Sequence, residues 1–141
     1  MEKRNIGMYV TITLIVLFVL FNAYKLLPDN PEIKIAPETE SLENAISPEE
    51  IVKMIRSSDE YKKFDRFKII TSISVSAIPL DSDTYQSRLD SLQERSGVEF
   101  ENDLYKVFVR STSTCFSTTS IEYYIDSTTG EILHTMKWKE C

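Results

Sequence analysis

The residues able to do chemistry are few. The 141-residue chain holds one histidine and two cysteines. His134, acting as a general base or zinc ligand, needs a partner on a neighbouring element. Glu131 lies three residues away on what reads as the same strand, so alternation sets it on the opposite face. With no second histidine and no C-x-x-C pair, neither a zinc site nor a thioredoxin-like redox site is expected. Ser and Thr crowd Ser111–Ser120 (STSTCFSTTS), but no G-x-S-x-G or S-x-x-K pattern surrounds them, which reads as a polar hairpin tip. Glu49 and Glu50 fit the start of a helix, where acids meet the positive end of its dipole. Asp81, Asp83 and Asp90 lack the glycine and terminal glutamate of a calcium loop. The expectation is no catalytic residue, no metal, no cofactor and no enzyme.

Cys115 and Cys141 are placed by register. If Asp126 faces Glu131 across a tight turn, paired residue numbers in that hairpin add to 257. Cys115 then sits next to the partner of Cys141 at one end of the sheet. In an oxidising compartment an internal disulfide between Cys115 and Cys141 is the natural expectation. It would close a loop of about 26 residues and stabilise by roughly 3–4 kcal/mol. Free thiols, or a bond to another molecule through Cys141, are the alternatives.

Charge and hydropathy are distributed unevenly. Of 16 Lys+Arg and 22 Asp+Glu, three bases and one acid precede Pro28. The remainder therefore holds 13 against 21, a net −8. Such a surface repels nucleic acid, which is excluded as a partner. Residues 6–27 (IGMYVTITLIVLFVLFNAYKLL) carry no charge between Arg4 and Lys25. As a helix they would extend about 33 Å, enough for a ~30 Å hydrocarbon core. Thr11 and Thr13 can bond carbonyls one turn back, and Tyr9 and Tyr24 lie near the two ends. The expectation is a single-pass signal-anchor in the lipid bilayer. Lys3 and Arg4 set the N-terminus in the cytoplasm, and everything after residue 27 is extracytoplasmic. A cleaved signal peptide is the rival reading, but Phe21-Asn22-Ala23 lacks the small-x-small pattern.

The elements follow. Residues 1–5 form an N-terminal tail. Residues 28–46 hold three of five prolines and read as a linker, with a docked strand at Ile33–Ile35 as the alternative. Ser47-Pro48-Glu49-Glu50 starts a helix over 48–64, which Ser57-Ser58-Asp59-Glu60 breaks or recaps. In FKIITSISVSAIP (67–79), Phe67, Ile69, Thr71, Ile73, Val75 and Ala77 alternate onto one strand face. Asp81–Ser96 forms a short helix with Tyr85, Leu89 and Leu92 on one side, capped by Ser82 or Asp83 and ended by Gly97. Strands at Leu104–Thr114, Ile121–Asp126 and Glu131–Glu140 complete an α+β domain over 47–141: a helix on an antiparallel sheet of about four strands. Tyr105, Phe108, Tyr123, Tyr124 and Trp138 are core or sheet-face aromatics, of which an exposed subset can bind a partner.

Tyr123-Tyr124-Ile125-Asp126-Ser127-Thr128-Thr129-Gly130-Glu131-Ile132-Leu133 resembles the closing hairpin of PepSY-type domains: a strand, an Asp, a turn with Thr-Gly, then Glu and an apolar strand. The resemblance implies a cystatin-like arrangement of one helix against a curved sheet. It also implies a non-catalytic exported module that modulates peptidases or binds other envelope proteins. It transfers no catalytic residue. The functional expectation is a membrane-anchored binding or regulatory module acting on a protein partner in the membrane or envelope. The alternative is a small accessory single-pass subunit of a membrane complex.

Overall fold

The computed structural model describes residues 2–25, 30–65, 69–112 and 118–140; within these, the side chains of 2–6, 8, 23–25, 41, 118 and 140 are not described. The chain divides into two units, residues 1–30 and 31–141.

The first unit is one helix, α1 (Glu2–Lys25). Thr11 and Thr13 donate their hydroxyls to the carbonyls of Gly7 and Tyr9, each at 2.9 Å, and Asn22 Nδ2 donates to Phe18 at 2.8 Å. The expected membrane span is corrected here. Among the described residues no helix is long and apolar enough to cross a membrane. The single-pass anchor over 6–27 and its bilayer contact therefore lose their support. So does the localisation that depended on them, with the N-terminus cytoplasmic and the C-terminal domain extracytoplasmic.

The second unit is α+β, with a mixed sheet of five strands rather than the expected antiparallel four. Its strands are β1 (Glu32–Ile35), β2 (Ile69–Ile78), β3 (Leu104–Thr112), β4 (Thr118–Asp126) and β5 (Ile132–Glu140), ordered β1-β2-β3-β4-β5. The additional strand lies inside the proline-rich stretch. β1 runs parallel to β2, Glu32 opposite Ser72 and Ile35 opposite Val75, and Ala36 N extends the ladder to Val75 O at 2.9 Å. The other neighbours pair antiparallel.

Helices cover both sheet faces. On one face lie α2 (Pro48–Ser57) and α3 (Asp59–Asp65). Ser47 caps α2 by accepting Glu50 N at 3.3 Å, with Pro48 in the first turn. Ser58 separates the two helices. Its Oγ donates to Ile55 O at 2.7 Å and accepts Tyr61 N at 3.2 Å, so it ends one helix and caps the next. Ile51, Val52, Ile55, Tyr61 and Phe64 bury against Ile73, Val75, Tyr105, Val107, Val109, Ile121, Tyr123 and Ile125. A bulge at Thr71 brings Ile70, and not Ile69, into this core.

Tyr123 lies in this core with a hydroxyl that has no hydrogen-bond partner. The Ser58 hydroxyl beside it is already committed to Ile55 and Tyr61. Burial pushes the phenol up to about 12, and the nearby Ser58 hydroxyl only partly opposes this. An unfolded phenol ionises near 10, so between about pH 10 and 12 the unfolded state loses its proton first, and stability falls as pH rises. At neutral pH Tyr123→Phe is expected to stabilise by about 1 kcal/mol, because the change removes a buried hydroxyl without a partner. The urea midpoint checks this, and a clear loss of stability contradicts it.

The other face carries α4 (Gln86–Ser96), ended by Gly97 at φ +67°. It starts later than the expected Asp81 and without a side-chain cap. Leu89 and Leu92 bury against Ile78, Phe100, Leu104 and Tyr124. The cluster beneath α4 is centred toward the end of the sheet nearest the β4–β5 turn, with Leu133 and Met136 packed against it.

That turn is fixed by Asp126. Its Oδ1 accepts the N–H groups of Thr128 (2.9 Å) and Thr129 (2.8 Å), and its Oδ2 accepts Asn102 Nδ2 (2.9 Å). Gly130 takes φ +75°. Burial works to raise the Asp126 carboxyl, but the bonds from Asn102, Thr129 and Thr128 together hold it below its ordinary 3.8. This stabilisation is present above pH ~4 and is lost as pH falls through the depressed folded value. Asp126→Ala is expected to cost about 2 kcal/mol at pH 7 and progressively less below pH 4; chemical denaturation at both pH values is the check.

Pairing across this hairpin also corrects the register on which the cysteine placement rests. Ile125 faces Ile132, but Tyr124 faces His134 and Thr118 faces Glu140. Paired numbers add to 257 only beside the turn and to 258 beyond it, because a bulge at Leu133 shifts every later pair by one residue. Cys115 and Cys141 both lie outside the described residues, and among the described residues there is no disulfide. The expected bridge is therefore without structural support.

Candidate functional site

On the α4 side, beyond Ile78 and Leu104 packed under α4, strand alternation sets three further rows of side chains across the sheet. First run Ser76, Lys106, Tyr124 and His134. Next run Lys34, Ser74, Phe108, Glu122 and Met136. Farthest run Glu32, Ser72, Arg110, Ser120 and Trp138. Phe108 and Met136 are half-buried, and Trp138 is 46% exposed. A pocket of about 220 Å³ opens where α4 meets these rows, walled by Arg88, Leu92 and Arg95 from the helix and by Glu122, Tyr124, Met136 and Trp138 from the sheet.

The helix residues reach one pocket because positions 88, 92 and 95 fall on one face. Glu122 anchors the polar wall. It is only 7% exposed, an expensive place for a carboxylate, and three groups compensate it. Tyr124 donates its hydroxyl to Glu122 Oε2 at 3.1 Å. Arg88 Nη2 and Lys106 Nζ lie 3.7 and 3.6 Å from Oε1. Arg88 Nη2 also donates to the Tyr124 hydroxyl at 3.2 Å. Burial pushes the Tyr124 phenol up, against the Arg88 hydrogen bond, so it remains a protonated donor to Glu122 across the neutral range.

The local charge opposes that of the whole chain. The net charge is −6, yet Arg88, Arg95 and Lys106 surround a single acid, Glu122. A positive recess in a negative molecule focuses the field on anions. A second cleft has the other sign. It lies by the β4–β5 turn among Glu43, Asp81, Glu101, Asn102 and Asp103, about 410 Å³ in volume. Asp103 Oδ1 there accepts Leu80 N at 2.8 Å. No group of three or more acids, histidines or cysteines among the described residues is arranged to hold a metal ion.

The residues singled out in the sequence scatter. His134 is half-buried in the sheet, its ring 6.3 Å from that of Tyr124. Of the five aromatics, Tyr105, Tyr123 and Tyr124 are buried, Phe108 is half-buried and only Trp138 is exposed. No motif marks the Glu122 cluster; the only traces of it in the sequence are Lys106, Phe108 and Arg110 alternating along β3 and a Glu set among Ile121, Tyr123 and Tyr124. No family model, curated protein or solved structure matches the chain.

Proposed function

We propose that this chain is a non-enzymatic binding and regulatory module that engages a protein partner through the part of the α4-side sheet face that α4 leaves uncovered. One observation carries the reading: Met136 and Trp138, two residues apart on β5, share that face with Phe108, which lies across Glu122 on β3, beside Arg88, Arg95 and Lys106. Aromatic, methionine and arginine side chains of this kind are enriched where proteins bind proteins. The locked state of Glu122, held by two cations and a hydroxyl, suits a rigid scaffold better than a proton shuttle. The PepSY-like hairpin favours a peptidase as the partner.

The test is a substitution on the open face. Ser74, beside Phe108, is half-buried. Ser74→Arg on the full chain, cross-linked in its host and then purified, is expected to cut partner recovery about tenfold. Lys53→Glu, on an exposed position of α2, is expected to leave recovery unchanged. Equal recovery with both variants overturns the reading.

A further inference from the structure

Resting on that reading, we infer that the α4 pocket receives a carboxylate carried on an acidic segment of the partner, with Arg95 as its principal cation and Trp138 as its apolar flank. Arg88 directs one nitrogen, Nη2, to both Tyr124 and Glu122. A guanidinium carries five donors in a fixed fork, so the same group can reach a second anion. Arg95 is exposed and has no hydrogen-bond or ion-pair partner among the described residues, although it lines the pocket. Glu122 neutralises one of three cations, so the recess retains an excess of positive charge.

The walls select among anions. Leu92, Met136 and Trp138 supply apolar surface next to the cations, which fits an anion borne on a carbon chain. The buried Glu122 carboxylate repels a dianion more strongly than a monoanion. A carboxylate therefore fits better than a phosphate. The volume of about 220 Å³ is suited to one side chain and not to a folded ligand. An acidic segment also meets no competition from nucleic acid, which the chain as a whole repels.

Trp138 is the only tryptophan in the chain, so its emission reports on this pocket directly. The full-length chain is titrated with end-blocked hexaglutamate, end-blocked hexaglutamine and inorganic phosphate. Hexaglutamate is expected to change the emission saturably, with affinity falling as salt rises, while hexaglutamine and phosphate have no effect. Arg95→Gln is expected to weaken hexaglutamate binding about tenfold, with circular dichroism and the unfolding midpoint unchanged. Arg95→Lys is expected to restore part of the loss. The inference is overturned by no saturable response to hexaglutamate, an equal response to hexaglutamine or phosphate, or an Arg95→Gln variant that binds as well as the parent. Partner recovery that still responds to Ser74→Arg, alongside failure with hexaglutamate, would remove the carboxylate and leave the binding reading standing. Loss of both removes both.

Discussion

Ile55→Ala is expected to destabilise the 31–141 unit by about 3–4 kcal/mol, the largest effect of any single substitution considered. Ile55 is fully buried, one helical turn after Ile51, at the centre of the layer between α2 and the sheet. Truncation removes three carbons from water-free contact, and the strands beneath cannot close over the gap. Transfer and cavity terms therefore add. At roughly 4 °C per kcal/mol for a domain of this size, the thermal midpoint should drop by about 15 °C. Trp138 emission follows this unit specifically, so full-length protein can be used. Lys53→Ala, two residues earlier on the exposed side of α2, is the control and should shift stability by less than about 0.5 kcal/mol. A loss below 1 kcal/mol for Ile55→Ala would mean that α2 does not pack as described.

Glu122→Ala is expected to cost about 2–3 kcal/mol. It leaves Arg88 and Lys106 without their shared counter-ion and the Tyr124 hydroxyl without its acceptor. Breaking a fully buried pair costs about 3–5 kcal/mol. Here the Arg88 side chain is 44% exposed and water takes up part of its charge, which lowers the figure. Glu122→Gln keeps an acceptor for Tyr124 and should lose about half as much. The two effects of Glu122→Gln have opposite signs: stability falls, while affinity for hexaglutamate rises because the one repelling carboxylate is gone. A variant that loses both stability and affinity would show that Glu122 shapes the pocket mainly by packing.

Local signals in the sequence were strong where one or two residues determine the geometry. Ser47-Pro48 starts a helix, Ser58 interrupts it, Gly97 stops α4, and the bonds of Asp126 to the turn backbone with Gly130 at positive φ make the hairpin. Features that depend on distant partners were not legible. β1 lies within a proline-rich acidic stretch that reads first as a linker, with a strand at Ile33–Ile35 only as the alternative, because the parallel edge that β2 offers some 40 residues later decides it. The bulges at Thr71 and Leu133 each shift register by one residue, and the second displaced the pairing from which the cysteines were placed. The apolar run in α1 reads as a span in the sequence, but among the described residues no helix is long and apolar enough to cross a membrane. Glu122 and Arg88 lie 34 residues apart and meet only because α4 folds back over the sheet. Side chains on both faces of β4 are buried, so Ile121-Glu122-Tyr123-Tyr124 lacks clean apolar–polar alternation, and a lone Glu there reads as solvent-facing rather than buried.

Site-specific photo-cross-linking distinguishes an occupied sheet face from a bare one. Benzoylphenylalanine is placed at position 138, on the open face, and in a separate protein at position 54, where Met54 is 43% exposed on α2. The full-length chains are irradiated in the host. A discrete adduct from position 138, absent from position 54 and reduced by Ser74→Arg, is the predicted result. Adducts of equal yield from both positions, or none from position 138, would contradict the account.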